Sequence, residues 1–316
     1  MASIPDHVFE PAPQAVGMTW AGDCTFARFD RLRPGDSADI AVQGVAYDLG
    51  VTNRPGSRFG PRAIREQSTL SGEFERSLWP WPDGALRPYR CVDAGDVTFP
   101  PGSTDVMLEA VQRRTSALVG AGVGVVSLGG DHLVSLPLLR AHAEHYGTMA
   151  LVHFDAHSDT WEYGDDDPLH HGMMFLKAAR EGIIEPSRSV QVGMRTPNDT
   201  MGFHVYDMNR VVDMTISEIA DVIRVTAGDM PVYLTIDIDA LDPAFAPGTG
   251  TPVIGGLTTA QLRGVLRRLH GLDVVGADLV EVAPHYEGPA QITALAGATL
   301  AHDEVYLVAG APRRSR

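Results

Sequence analysis

The sequence predicts an α/β fold built around a mainly parallel β-sheet. Short apolar runs alternate along the chain with longer stretches of helical spacing, and this alternation is typical of strand–helix–strand crossover units. The apolar runs do not alternate strictly between polar and apolar residues, which indicates strands buried on both faces. Neither an internal repeat nor a Ser/Gly-rich linker divides the chain, so we predict a single domain over residues 1–316.

The individual elements follow from the same two patterns. The apolar runs predict strands at 40–46, 123–128, 149–154, 189–192, 232–238 and 274–280. Helical spacing predicts helices at 105–121, 133–145, 173–181, 216–226 and 258–269, with Thr258 and Thr259 as N-terminal caps of the last. Residues 1–35 are rich in Pro and turn formers, so we expect them to wrap the surface.

The composition argues against several kinds of partner. Lys and Arg total 25 while Asp and Glu total 40, which gives a formal net charge of −15. A nucleic-acid partner rewards clustered Lys and Arg, so this balance disfavours one, whereas a cationic substrate fits it. No apolar run approaches the roughly 20 residues of a membrane-spanning helix, and the N-terminus lacks a secretory signal. We therefore expect a cytoplasmic protein with no membrane partner, in which Cys24 and Cys91 are free thiols.

Three predicted strands end in clusters of polar residues. The run 123–128 leads into GGDH at 129–132, the run 149–154 into DAHSD at 155–159, and the run 232–236 into DIDALD at 237–242. In open parallel sheets, functional groups gather in the loops that leave the carboxyl ends of the strands. The three clusters are thus predicted to meet at one edge of the sheet.

The alternating order of acidic and imidazole groups in these clusters predicts a metal site. If the chain stays extended past each strand, Asp155, His157 and Asp159 lie on one side, and so do Asp237 and Asp239. A helix cap or turn explains one such aspartate but not the whole set. Close carboxylates repel one another, and their burial without compensation is very costly, so one or two divalent cations are expected. A carboxylate-rich set with imidazoles and no thiolate suits Mn(II) ahead of Zn(II), and two ions sharing a water make hydroxide available at neutral pH.

The same motifs resemble the metal signatures of the arginase/agmatinase ureohydrolase family. Further segments occur in the family's order and spacing: RPGSRFGPRAIR at 54–65, HGMMF at 171–175, REGII at 180–184, SVQVGMRT at 189–196 and EVAP at 281–284. The resemblance implies a three-layer α/β/α fold around a parallel sheet. It also implies two Mn²⁺ ions per subunit and a homo-oligomer, either a trimer or a hexamer.

The resemblance also assigns the site residue by residue. One ion would be held by His132, Asp155, Asp159 and Asp237, and the other by Asp155, His157, Asp237 and Asp239, with Asp155 and Asp237 as bridges. His171 resembles a histidine that moves protons, although the neighbouring His170 leaves this assignment open. Glu281 resembles the glutamate that binds the substrate guanidinium, and Asp159 could accept a hydrogen bond from the nucleophile.

The implied reaction is hydrolysis of a small cationic guanidino substrate, and agmatine is the favoured one. HGMMF and REGII resemble agmatinases more than arginases, and the acidic segment EYGDDD at 162–167 could favour a cationic tail or be simply a solvated loop. Guanidinobutyrase and guanidinopropionase activities remain open, as does a metal-stabilised binding protein without catalysis. A two-metal phosphoesterase is disfavoured because no Arg/Lys clamp accompanies the ligands.

Overall fold

A nine-stranded sheet organises the part of the chain that the structure describes. The structure is a computed structural model, and it describes residues 22–72, 81, 86–162, 168–197 and 200–312. Every neighbouring pair of strands in the sheet is parallel. The predicted α/β fold with a mainly parallel sheet is confirmed.

The most deeply buried strands lie side by side in the middle of this sheet. In chain order the strands are β1 (Asp30–Arg31), β2 (Ile40–Gly44), β3 (Cys91–Asp96), β4 (Gly124–Leu128), β5 (Ala150–Phe154), β6 (Val190–Met194), β7 (His204–Asp207), β8 (Val232–Asp237) and β9 (Val274–Val280). Their order across the sheet is β1-β3-β2-β4-β9-β8-β5-β6-β7. Every residue of β4, β9, β8 and β5 is buried, as expected for strands covered on both faces.

Helices cover both faces of the sheet and complete three layers. They are α1 (Gly60–Gly72), α2 (Thr104–Gly120), α3 (Ser135–Tyr146), α4 (Met174–Arg180), α5 (Met208–Val211), α6 (Ile216–Ala227), α7 (Thr259–Arg268) and α8 (Ile292–Ala309). The apolar residues of α1, α6, α7 and α8 join one core, and those of α2, α3 and α4 join the core on the opposite face. The three-layer α/β/α arrangement is thereby confirmed.

The two faces of a central strand take alternate residues. Along β8, Leu234 and Ile236 join the core beneath α6 to α8, whereas Tyr233 joins the core beneath α2 to α4. Thr235 and Asp237 share the parity of Tyr233 and therefore lie on the α2–α4 side of the sheet. The polar side chains at the carboxyl end of β8 therefore lie beneath the helix layer of α2 to α4.

The predicted elements are present with boundaries that differ by a few residues, and several others were missed. Thr258 caps α7 as predicted, in a reciprocal capping box with Gln261. The sequence patterns did not predict β1, β3, β7, α1, α5 or α8. The strand β3 carries Asp93 and Asp96, which interrupt its apolar run. The helix α8 is buried on almost every side, so it lacks an amphipathic period.

The N-terminal segment is described only from residue 22 onward. Within 22–35, Phe26 is fully buried and β1 adds a short strand at the edge of the sheet. The surface-wrapping role of residues 1–35 and the extent of the domain over 1–316 stay predictions. None of the helices in the described ranges combines the length and apolarity that a membrane crossing requires.

A buried ion pair explains how β3 keeps two aspartates inside the fold. Arg65 of α1 donates from Nε and Nη2 to Asp93 at 2.8 and 3.1 Å, and from Nη1 to Asp96 at 2.6 Å. The backbone N–H of Phe26 also donates to Asp93, at 2.7 Å. Arg65 and Asp93 are 8% and 3% exposed, so the carboxylate has little water to stabilise its charge.

Replacement of Arg65 is therefore expected to destabilise the protein strongly. Arg65→Ala leaves the Asp93 carboxylate buried and unpaired, and breaking such a pair costs about 3–5 kcal/mol. Arg62→Ala is the matched control on the same helix, because its pair with Glu66 is exposed and contributes about 0.3–0.5 kcal/mol. Urea unfolding of the metal-free protein measures both, and equal losses would contradict this account.

Candidate metal centre and its surroundings

The polar clusters meet at the carboxyl edge of the four central strands. His132 follows β4, Asp155 follows β5, Asp237 ends β8, and Glu281 follows β9. Because β4, β9, β8 and β5 are adjacent and parallel, these residues emerge next to one another. The predicted meeting of the three clusters at one edge is observed.

His132 lies at the centre of three carboxylates. Its Nδ1 is 2.9 Å from Asp159 Oδ2, 3.1 Å from Asp155 Oδ2 and 3.4 Å from Asp237 Oδ2. The imidazole is fully buried, and none of these three contacts has hydrogen-bond geometry. A buried nitrogen lone pair directed at three carboxylate oxygens is the arrangement that a cation satisfies.

Asp155 connects this group to a second one. While its Oδ2 faces His132, its Oδ1 lies 3.3 Å from Nδ1 of His157. The same His157 nitrogen is 3.2 Å from Asp239 Oδ2. Asp155 thus presents one oxygen to each group, as a carboxylate that bridges two ions would do.

The chain does not stay extended beyond these strands, so the condition for simple alternation is not met. After β8 the chain enters a 3₁₀ turn at Ile238–Ala240, and the N–H of Asp239 donates to Asp237 Oδ1 at 2.8 Å. Asp159 has a left-handed backbone with φ of 53°. The side chains converge because the loops turn back over the sheet edge, since only a turn brings sequence neighbours around one point.

The electrostatics of the cluster show why it needs positive charge. Burial and the charges of Asp239 and Asp155 raise the pKa of Asp237 well above its ordinary value. Burial opposes a charge on His157, yet Asp239 and Asp155 raise its pKa to about 12. Burial likewise works against the charge of Asp155, but the histidines around it, His153 first, hold its pKa well below the ordinary value. Protons are therefore drawn to the cluster wherever cations do not balance the carboxylates.

The residues present fit a pair of divalent cations. The donor set contains two imidazoles and four carboxylates and no thiolate, which suits hard or borderline ions. His132 Nδ1 would ligate one ion with Asp155, Asp159 and Asp237, and His157 Nδ1 would ligate the other with Asp155, Asp237 and Asp239. All six residues assigned by resemblance are brought together, and their roles as ligands remain a proposal.

His171 and Glu281 form a separate hydrogen-bonded pair beside the cluster. Nδ1 of His171 is 2.6 Å from Glu281 Oε1, which also accepts from the N–H of His132 at 3.0 Å. Nε2 of His171 accepts from the N–H of Thr52 at 3.1 Å and lies 2.8 Å from the Thr52 hydroxyl. In the neutral imidazole, Nδ1 carries the proton that is given to Glu281, because the Thr52 N–H can only donate to Nε2. Burial opposes the imidazolium, but Glu281 raises the pKa of His171 to about 9.

The neighbouring His170 has a different environment. Its Nδ1 accepts from the N–H of Gly172 at 3.1 Å, within its own turn. His171, by contrast, is 8% exposed and contacts Glu281 directly. The geometry favours His171 for the assignment that the sequence left open.

Glu281 presents a second oxygen that has no hydrogen-bond partner among the described residues. Its Oε2 is fully buried and unpaired, and its backbone is left-handed with φ of 63°. Gly250 lies beside this oxygen: an added Cβ there would be 3.7 Å from it, an ordinary contact, and 2.9 Å from the carbonyl of Arg54, which is too close. The buried carboxylate oxygen itself is left without a described partner, and a bound ligand would satisfy it.

The sequence analysis missed His153, which supports Asp155 from within the sheet. Its Nε2 is 2.8 Å from Asp155 Oδ2, and its Nδ1 is 3.2 Å from the amide of Gln191. Because the amide N–H donates to Nδ1, the proton on Nε2 is given to Asp155. A signal was available, since a lone histidine two residues before Asp155 in an apolar strand must lie on the same side as that aspartate.

Two further polar residues fix the loops around the site. Arg195 donates from Nη2 to the carbonyls of Asp239 and Val253 at 2.6 and 2.9 Å. Asp131 accepts from the N–H of Gly50 at 2.7 Å, and the carbonyl of Gly50 accepts from the N–H of His171 at 2.9 Å. The segment before the RPGSRFGPRAIR motif is thereby held against His171.

The acidic segment at 162–167 falls almost entirely outside the described residues. Only Glu162 is described, and it pairs with Arg180 of α4 at 2.5 Å. Because Arg180 already balances its charge, Glu162 gives little support to the expectation that this segment attracts a cationic substrate tail.

Comparison with known proteins identifies the family. Residues 38–306 match the arginase family. The chain belongs to the arginase family. It is 49% identical over 292 residues to an agmatinase of Photorhabdus laumondii, covering 91% of this chain and 94% of that protein. It is 50% identical over 288 residues to an agmatinase of Proteus mirabilis, covering 90% and 92%.

Two solved structures share the fold. A hypothetical agmatinase from Burkholderia thailandensis superimposes with a TM-score of 0.88 at 42% identity, covering 92% of this chain and 91% of that one. Proclavaminate amidino hydrolase from Streptomyces clavuligerus superimposes with a TM-score of 0.87 at 35% identity, covering 93% and 99%. The predicted family membership is confirmed.

Loss of a bridging carboxylate is expected to empty the metal centre. Asp155→Ala removes one ligand from each group, so the Mn²⁺ retained after dialysis should fall from about two ions per chain to near zero. Asp207→Ala is the control, since Asp207 also ends a strand but is exposed and only caps α5. Elemental analysis by mass spectrometry measures the metal, and full retention by Asp155→Ala would contradict the assignment.

Proposed function

We propose that this chain is a ureohydrolase that hydrolyses agmatine to putrescine and urea with the help of two Mn²⁺ ions. The observation that carries the proposal is the unpaired, buried Oε2 of Glu281 beside the cluster of six candidate ligands. A guanidinium offers planar pairs of N–H donors that match a carboxylate. The agmatinase relatives at 49% and 50% identity support agmatine as the substrate.

The proposed reaction joins one water to the guanidino carbon and breaks its bond to the chain nitrogen. When bound, the pair of divalent cations lowers the pKa of a water molecule and neutralises developing negative charge. Glu281 would orient the guanidinium so that its carbon faces the ligand cluster. Asp159 would accept a hydrogen bond from the attacking water, and its left-handed backbone supports the turn that aims it inward.

His171 is proposed to manage the proton that the leaving amine requires. Its Nε2 lies beside the Thr52 hydroxyl while its Nδ1 is held by Glu281. An imidazole fixed between these two groups can hold a proton and release it without changing its position. The oxygen of the water becomes the carbonyl oxygen of urea, and the leaving nitrogen takes a proton to become the amine product.

A panel of guanidino compounds tests the substrate. The Mn²⁺-loaded protein should release urea from agmatine with a kcat/KM at least about tenfold above that for arginine, guanidinobutyrate or guanidinopropionate, a difference of about 1.4 kcal/mol. The net charge of −15 would repel a carboxylate tail and attract the ammonium group of agmatine. A higher kcat/KM for guanidinobutyrate or guanidinopropionate would make that compound the substrate in place of agmatine. Release of urea from none of the four compounds would favour the non-catalytic binding protein. Phosphate release from model phosphoesters would favour the phosphoesterase.

Glu281→Gln tests the guanidinium contact separately from metal binding. The amide keeps the shape but loses the charge, so kcat/KM should fall at least about 100-fold, or about 2.7 kcal/mol. The metal content should stay at the wild-type value, because Glu281 is outside the proposed ligand set. Glu144→Gln, an exposed change near the end of α3 away from the site, should leave kcat/KM unchanged. An unaltered kcat/KM in Glu281→Gln would contradict the role.

The remaining expectations concern the ions, the assembly and the location. Manganese is proposed from the donor set, and Zn²⁺ or Co²⁺ in the protein purified from its source would contradict it. A cytoplasmic homo-oligomer, trimeric or hexameric, is proposed from the family resemblance alone. A monomer in sedimentation velocity would contradict the assembly.

A further inference from the structure

A line of hydrogen bonds runs from His132 back into the sheet, away from the candidate ligands. His132 Nε2 lies 2.8 Å from the Thr235 hydroxyl, which donates to Asp278 Oδ1 at 2.6 Å. Thr235 is on β8, Asp278 is on β9, and both are fully buried. Neither residue belongs to the proposed ligand set or contacts Glu281 in this line.

Asp278 is itself held by two further hydroxyls. Its Oδ2 accepts from Ser135 Oγ at 2.8 Å and from the Tyr233 hydroxyl at 2.7 Å. Burial raises the pKa of Tyr233 well above its ordinary value, so the phenol keeps its proton and donates. As a carboxylate, Asp278 has acceptor sites only, so the hydroxyls of Ser135, Tyr233 and Thr235 all donate to it.

The direction of these bonds decides which nitrogen of His132 carries its proton. Thr235 has one hydroxyl proton, and it goes to Asp278. The oxygen of Thr235 can then only accept, so the partner N–H must be at Nε2 of His132. A neutral imidazole has one N–H, which leaves the lone pair at Nδ1, facing Asp155, Asp159 and Asp237.

We propose that Thr235 and Asp278 are positioning residues that hold His132 in its Nε2–H form and aim Nδ1 at a metal ion, with Ser135 and Tyr233 holding Asp278. The ring of Phe175 packs perpendicular to that of His132, with centroids 5.2 Å apart, and limits its rotation. The inference rests on the proposed function only in that His132 ligates an ion. It assigns a task to a buried carboxylate and a buried tyrosine that the reaction does not otherwise use.

The test compares Thr235→Val with Thr235→Ser by Mn²⁺ binding. Valine keeps the shape of threonine but cannot accept from Nε2–H, so affinity for one of the two ions should fall about 10–100-fold. Serine keeps the hydroxyl, and its affinity should stay within about threefold of wild type. Titration of the metal-stripped protein against a fluorescent chelator measures both affinities. Electron paramagnetic resonance should show isolated Mn²⁺ in the valine variant where the wild type gives a coupled pair.

Thr115→Val is the matched control, and Asp278→Asn is the second variant. Thr115 is fully buried and bonds Gln43 on the α2 side, with no bond to His132 described, so its loss should leave both affinities unchanged. The amide of Asp278→Asn can donate to Thr235, which would reverse the direction of the hydrogen bonds from Asp278 to His132. The affinity for the same ion should therefore fall. This variant provides the test if Thr235→Val does not fold. Wild-type binding of both ions by whichever of these two variants folds, or an equal loss in Thr115→Val, overturns the inference.

The measurement separates this inference from the proposed reaction. It uses the metal alone and no guanidino compound. If the wild type binds two ions and Thr235→Val weakens one, the inference stands even when agmatine yields no urea. A wild type that binds no divalent ion overturns the inference, whatever the substrate panel gives.

Discussion

The burial of four carboxylates at one edge of the sheet is the constraint on which the rest of this structure depends. Asp155, Asp159, Asp237 and Asp239 are at most 5% exposed, so water cannot separate their charges. Such a group is stable only where positive charge and fixed donors surround it. Several groups around the carboxylates stabilise their charge. They are the N–H groups of the loop turns, the guanidinium of Arg195 and the imidazoles of His132, His153 and His157. The proposed pair of divalent cations would complete that compensation.

The middle of the fold could be predicted from the sequence, and its edges could not. Strands β4, β5, β8 and β9 are buried on both faces, so their apolar runs are unbroken and the signal is strong. The strand β3 carries aspartates whose partner, Arg65, lies 28 residues away in sequence. The helix α8 is enclosed by α1, α7 and the sheet, so its residues show no polar face. Both cases depend on tertiary contacts, which local patterns do not contain.

In the candidate site, too, the residues in short motifs could be predicted, whereas their backbone geometry and their distant partners could not. The ligand candidates sit in short motifs directly after apolar strands, so their residue types and position at the sheet edge could be foreseen. The turn at Ile238–Ala240 and the left-handed backbone of Asp159 could not, because extended spacing was the only local geometry available. The bonds His171–Thr52, His132–Thr235 and Thr235–Asp278 join residues that are 119, 103 and 43 positions apart in sequence. Nothing about a single threonine in an apolar run distinguishes such a contact from ordinary packing.

Because β4, β9, β8 and β5 are adjacent, metal binding would stabilise the middle of the sheet more than its edges. His132 and Glu281 are 149 residues apart in sequence, so the site exists only while these central strands are paired. Ions that bind the paired state alone raise the free energy needed to open it, by mass action. The short edge strands β1 and β7 carry none of the ligands and can fray without disturbing the site. Bound ions would therefore slow the exchange of amide hydrogens in the middle of the sheet and leave exchange at its margins as it is in the metal-free protein.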